Sequence, residues 1–308
     1  MELLKLEPLF KERIWGGTKL KDLFDYPIPS DQTGEVWGVS GHPNGSNIIK
    51  NRPYRGIHLQ HFFHTHRHKF KLPHSESQFP LLTKIIDAKS DLSVQVHPTD
   101  SYENNTKVNG KTECWYILDA GPDASIIHGH TAQTFEQFKS KVTHGDWSAL
   151  LREVKVKKGD FIYVPAGTLH AIKKNIVLLE VQQSSDITFR VYDYDRTDAH
   201  GRKRPLHLEE AFQSIKIPDE QIPFIAPKRL PSAIEKLRFI SNEFFTVERW
   251  HINKPYQPLI DGFKIFMVLE GSGRMNHEPI HKGDHIVALG DQEALTIEGD
   301  LTLMVAWK

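Results

Sequence analysis

The chain has 308 residues, enough for two medium domains with cores of their own, and its 39 Lys and Arg balance its 39 Asp and Glu. A net charge of zero supplies no global field to attract nucleic acid or an anionic membrane, so an anionic ligand must be met by a local site. A single cysteine, Cys114, excludes an internal disulfide and any multi-cysteine zinc cluster, fits a reducing compartment, and leaves His, carboxylate and amide groups as metal donors.

The opening MELLKLEPLFKERIWGG has no apolar run of signal-peptide length, and no segment reaches the roughly 20 apolar residues that cross a bilayer. A cytoplasmic protein is expected. Residues 1–60 place the turn signals WGG, HPNGSN and NRPYRG between short apolar runs, the pattern of edge strands and loops. In HLQHFFHTHRHKF, His61, His64 and His68 fall at helical intervals before Pro73, and with Arg67, Lys69 and Lys71 beside them they read as a solvated helix face rather than a metal site.

The first clear strands come in FPLLTKIIDAKSDLSVQVHP. There Leu92, Val94 and Val96 fall on one parity and Ser93, Gln95 and His97 on the other, so the polar row faces either water or a cavity. Lys84 sits among apolar residues of a strand, a costly place for a charge unless it faces a polar cavity. Cys114 follows Glu113 and so points to the opposite strand face, as a small buried hydrophobe. One helical insert interrupts the strands: TFEQFKSKVTHGDWSALLREV opens on Thr134 with Gln137 three residues on, a capping box, and its Leu150, Leu151 and Val154 should pack on a sheet.

Between Ile215 and Leu237, Pro218, Pro223, Pro227 and Pro231 resist both helix and central strand. The expected organisation is a first domain over residues 1–216, a Pro-rich linker over 217–237 and a second β domain over 238–308. VKKGDFIYVPAGTLHAI and IHKGDHIVALGDQEALTI both place Lys-Gly-Asp before an apolar strand, a turn and another strand. The two halves therefore read as distant copies of one β-unit, of which the second lacks the histidine.

The segment GDFIYVPAGTLHAI, with its Pro-x-Gly turn ahead of His170, resembles the second signature motif of the cupin superfamily. The usual first motif, His-x-His followed by Glu, is absent, and Gln95-x-His97 with Glu113 in GKTECWYIL stands in its place. That departure, with RIWGG near the start, Lys-x-Glu some 16 residues after His97, and SSDITFR, resembles the type I phosphomannose isomerases over essentially the whole chain, in their compact form. The stretch VYDYDRTDAHGRKR departs from the long form. The resemblance implies a mainly β fold of two cupin-like jelly-roll units with a few short helices, the first catalytic and the second degenerate. It also implies one Zn2+ per chain on Gln95, His97, Glu113 and His170, a catalytic Arg190, and Lys84 within the site.

The implied activity is interconversion of mannose 6-phosphate and fructose 6-phosphate, a small sugar phosphate being the partner. That reaction demands a base, a proton shuttle and stabilisation of an enediolate. Lys111, two residues before Glu113 and on its strand face, is a second cation there, Ser93 and Lys84 are the candidate substrate contacts, for its phosphate, and Lys111, Asp186 and Glu180 are candidate bases. Glu180 and Asp186 read equally as structural partners of Arg190. The rival readings are a metal-dependent cupin of other chemistry, disfavoured by a Gln ligand, and a non-catalytic sugar-binding cupin. The oligomeric state is left open.

Overall fold

The computed structural model describes residues 1–103, 106–198 and 200–308. Short segments of alternating parity can be buried on both faces only as strands between layers, and the first unit is built this way. A six-stranded antiparallel sheet runs in the order Phe161–Val164, Glu113–Ala120, Ile176–Gln183, Leu81–Ala88, Thr33–Val39, Leu9–Gly17. A five-stranded sheet runs in the order Leu151–Lys155, Ser125–His130, His170–Ile172, Val94–Val96, Phe189–Tyr192. Neighbours distant in sequence are what jelly-roll crossovers produce.

Parity decides what each residue meets. Trp115 and Ile117 point between the two sheets and pack with Ile86, Ile126 and Ile172. Cys114 and Tyr116 point the other way, into a core shared with Phe239, Val247 and Phe263 of the second unit, so the cysteine is the small buried hydrophobe expected. The back of the five-stranded sheet is covered by helix Phe135–His144, whose Phe138 and Val142 join Leu150, Val94 and Val96. Its start forms the Thr134 half of the expected capping box, Thr134 Oγ1 accepting from the Gln137 N–H at 3.2 Å, while Gln137 Oε1 accepts from the Gln133 N–H at 2.9 Å, one residue before the position a capping box uses. The histidine-rich stretch forms helix Leu59–Thr65, which buries Leu59, Phe62 and Phe63 and leaves His61 and His64 in solvent.

The second unit is an eight-stranded sheet dominated by Leu259–Met275, His285–Ala294 and Ile297–Trp307. Register shifts at Ile260/Asp261 and Val268/Glu270, the second beside Gly271 at φ 82°, bend the longest strand so that it serves two faces. Strand Glu2–Lys5 hydrogen-bonds into this sheet, Glu2 opposite Leu289, so the start of the chain stitches the second unit to the first. Over residues 217–234 the only strand is Lys228–Arg229, and Ile225 N–H donates to Phe161 O at 3.0 Å. The repeated Lys-Gly-Asp motif makes the same turn twice: Asp160 Oδ2 accepts from Lys157 N–H and Asp284 Oδ2 from His281 N–H, each at 2.9 Å. Among the described residues no helix is long and apolar enough to cross a membrane.

His285 lies where the two units meet. Its ring fits against Gly38 so closely that a Cβ there would come within 2.2 Å of it, and its Nε2 is 3.0 Å from Tyr26 Oη. Burial holds its pKa down to about 4, against the ordinary 6.5. The unfolded chain therefore takes a proton that the native state refuses, so stability is full above about pH 6.5 and falls as the pH drops towards 4. Between pH 7 and pH 5 His285 alone should cost about 2 kcal/mol. Unfolding free energies from urea titrations at the two pH values should differ less in His285→Gln than in the wild type, by that amount.

Candidate active site

Three short strands bring the polar row to the interior. Gln95 is paired with His170 on one side and Arg190 on the other, so the three residues sit abreast on one sheet. Glu113 is the first residue of its strand in the facing sheet. The Pro165–Thr168 turn ties these pieces together: Gly167 N–H donates to His97 O at 2.9 Å and Ala166 N–H to Thr112 Oγ1 at 3.3 Å. Gly167 holds φ 88°, a left-handed conformation that glycine adopts without strain, and a Cβ there would strike the Lys216 side chain at 2.8 Å. The Pro-Ala-Gly motif is thus what sets the His97 and His170 strands beside each other.

The donor atoms of His97, Glu113 and His170 lie within 4.8 Å of one another and all three residues are buried. Glu113 Oε1 is 3.5 Å from His170 Nε2, and Oε2 is 3.6 Å from His97 Nε2. The Gln95 amide stands 3.4 Å from His170 Nε2. His170 Nδ1 faces Thr168 O at 2.9 Å; donation there leaves the Nε2 lone pair for the centre. Burial keeps both imidazoles neutral, His170 down to about 3 and His97 well below its ordinary value. Burial and the Glu180 charge push Glu113 upwards. Neither Glu113 oxygen accepts a well-formed hydrogen bond, although Lys111 Nζ stands 3.2 Å from Oε2 and 3.1 Å from His97 Nε2. A buried carboxylate with one imperfectly placed ammonium beside it, facing two neutral imidazole lone pairs, fits a divalent cation.

Above this cluster opens a cavity of about 470 Å³, with Ser93, Gln95, Lys84 and Lys111 on its wall, so the polar row faces the cavity rather than water. Glu180, Asp186 and Arg190 line it as well. Lys84 and Glu180, both almost wholly buried, are 3.0 Å apart, and Trp115 Nε1–H donates to Glu180 Oε1 at 3.1 Å. Burial opposes the charge of Lys84, but Glu180, Glu35 and Asp186 outweigh it and raise its pKa. Burial likewise opposes the Glu180 carboxylate, and Lys84 and Lys111 overcome it and hold its pKa low. Arg190 is partnered by neither Glu180 nor Asp186: its Nη1–H donates to Pro205 O at 2.8 Å, while Asp186 accepts from Asn44 Nδ2–H at 3.0 Å. The alternative of an ion pair to Arg190 is therefore not realised.

Among the wall residues that the sequence did not single out are Arg13, Glu35 and Arg204. Glu35 receives a fork from Arg13, Nε–H at 2.9 Å and Nη2–H at 3.1 Å, and a third bond from Trp37 Nε1–H at 2.7 Å. The signal was present: a lone carboxylate in TGEVWGV, a strand buried throughout, is the counterpart of Lys84 in its own strand.

Two antiparallel jelly rolls, one enclosing a His/Glu/His cluster with the spacing to hold a metal ion, define a cupin. The chain matches the phosphomannose isomerase type I catalytic domain over residues 3–119 and the mannose-6-phosphate isomerase cupin domain over 235–307. It is 45% identical to the mannose-6-phosphate isomerase ManA of Bacillus subtilis, covering 93% of this chain and 92% of that protein. It is 42% identical to the mannose-6-phosphate isomerase of Streptococcus mutans, covering 97% and 98%. A crystal structure of the mannose 6-phosphate isomerase from Bacillus subtilis superposes over all of both chains with TM-score 0.93 at 42% identity. A zinc-bound mannose 6-phosphate isomerase shares the fold at TM-score 0.77 and 16% identity. The chain belongs to the type I phosphomannose isomerase family.

Removing one member of the buried pair should strand the other. Lys84→Met is expected to lower unfolding free energy by about 3 kcal/mol or more, and the double variant Lys84→Met with Glu180→Leu to recover much of the loss. Urea titrations at neutral pH measure both.

Proposed function

We propose that this chain is a cytoplasmic, zinc-dependent aldose–ketose isomerase that interconverts mannose 6-phosphate and fructose 6-phosphate, with one zinc per chain on His97, Glu113, His170 and, as a weaker fourth ligand, Gln95. The observation that carries it is the convergence of three buried donors, His97, Glu113 and His170, with the half-buried Gln95 beside them on the wall of a cavity that also carries cations, in a chain of this family. A catalytic zinc takes nitrogen and oxygen donors and keeps a position open, and this set has no thiolate. When bound, the ion would supply positive charge for the sugar oxygens of an enediolate.

The remaining work falls to the protein's own groups. A proton must move between C1 and C2, and Lys111, Asp186 and Glu180 are the titratable groups on the wall that could carry it. The pairing of Arg190 with Gln95 and its buried, unpartnered Nε support a role for it in meeting the charge that develops on the sugar oxygens. Ser93, next to Gln95, and Lys84 would contact the substrate on the same wall. The forked donors of a guanidinium suit a charge that shifts between two oxygens.

His97→Ala should lose metal and fructose 6-phosphate formation together, read by elemental analysis and a coupled assay. A full equivalent of zinc retained after dialysis against a mild chelator would refute the ligand set. Arg190→Lys keeps the charge and loses the fork, so its turnover should fall by about 100-fold with zinc unchanged. A steep rise in KM at near-normal turnover would instead make Arg190 a binding residue.

A further inference from the structure

The cavity wall holds five cations, and pairing sorts them. Arg13 is forked to Glu35, Lys84 is clasped by Glu180, and Lys111 lies beside Glu113. Each of these charges already has a carboxylate. Arg190 has none, its Nη1–H going to the Pro205 carbonyl. Arg204, the residue before that proline, forks onto Asp193 through Nε–H at 2.8 Å and Nη2–H at 2.6 Å. But Asp193 is shared, because Arg196 also binds it through Nε–H at 3.0 Å and Nη2–H at 2.6 Å. Arg196, off the cavity wall, offsets the charge of Asp193, so among the described residues Arg190 and Arg204 stand on the wall as a surplus of two positive charges.

We propose that Arg204 is the specificity-determining residue of this compact form: its guanidinium, pinned by Asp193 and with Nη1 left free on the cavity wall, seats the dianionic phosphate of the substrate. The inference rests on the sugar-phosphate reading of the site. Two charges of surplus match the two charges of a phosphate monoester, and forked N–H donors match its oxygens. Asp193 is buried and accepts from both sides, so it orients Arg204 without cancelling it. Arg190, joined to the same segment through Pro205 O, keeps its donors for the reacting end of the sugar. The pinning also spares the ordering cost that a free arginine would incur on binding.

The test compares wild type with Arg204→Gln and Arg204→Lys. KM for mannose 6-phosphate in Arg204→Gln should rise about 30-fold, as loss of a charge-assisted bond implies, with kcat within about threefold and metal content unchanged. The dissociation constant of inorganic phosphate, titrated by the fluorescence of Trp15 and Trp115 on the wall, should rise by a similar factor. Arg204→Lys should recover most of both losses. Unchanged KM and phosphate binding in Arg204→Gln, or a fall in kcat at constant KM, would overturn the proposal. The phosphate titration needs no turnover, so a wild type that binds phosphate through Arg204 and makes no fructose 6-phosphate would refute the isomerase reading alone.

Discussion

Glu113 is a carboxylate buried between two sheets with the Lys111 ammonium 3.2 Å from one oxygen and no well-formed hydrogen bond to either, and the first unit is arranged around that cost. An under-bonded buried carboxylate is unfavourable, and a cation held among His97, Glu113 and His170 would relieve the penalty. Where no such cation helps, the protein supplies partners: Lys84 stands against Glu180, Arg13 against Glu35, and Trp37 and Trp115 lend their indole N–H groups. The Glu35 pair is fully bonded, by a fork from Arg13 and a bond from Trp37, while Glu180 has its Trp115 bond and the Lys84 ammonium at 3.0 Å. The cavity is polar by construction, and its polarity is fixed in place by bonds rather than by solvent.

Strand parity delivers these groups to one side. In Glu113–Ala120, Glu113 and Trp115 face the cavity while Cys114 and Tyr116 face the second unit. The same strand thus joins the site to the core between the units, where Phe239, Phe263 and His285 are packed. Rigidity at the ligands is consequently borrowed from that core. A change at Gly38 or His285 acts on the Leu81–Ala88 and Glu113–Ala120 strands through the sheet and not by contact with the metal donors.

Much of this was legible in the sequence, and the reasons are local. The parity of Ser93, Gln95 and His97 requires only a strand, and the cap at Thr134 only its neighbours. The Pro-Ala-Gly turn carries its own geometry. Less legible were features set by long-range pairing. Nothing near Glu2 says that it will lie opposite Leu289, and nothing near Arg190 says that Pro205 will take its guanidinium in place of Glu180 or Asp186. Glu35 and Arg13 become partners because two strands align, an event that neither segment encodes by itself.

The second unit separates scaffold from function. There Arg238 Nε–H donates to Glu248 Oε1 at 2.9 Å and Trp250 Nε1–H to Glu248 Oε2 at 2.7 Å. In the first unit Arg13 Nε–H donates to Glu35 Oε1 at 2.9 Å and Trp37 Nε1–H to Glu35 Oε2 at 2.7 Å. Both sets sit on a pair of adjacent antiparallel strands, with the tryptophan two residues beyond the glutamate. The arginine–glutamate–tryptophan clasp has therefore persisted in a unit that, among the described residues, has no cluster of metal donors. Had the clasp served the metal alone, nothing would hold it where the metal site is missing. Its recurrence assigns it to fastening two strands at the mouth of a jelly roll. The functional difference between the units then reduces to the His97, Glu113 and His170 donors and the cations gathered above them.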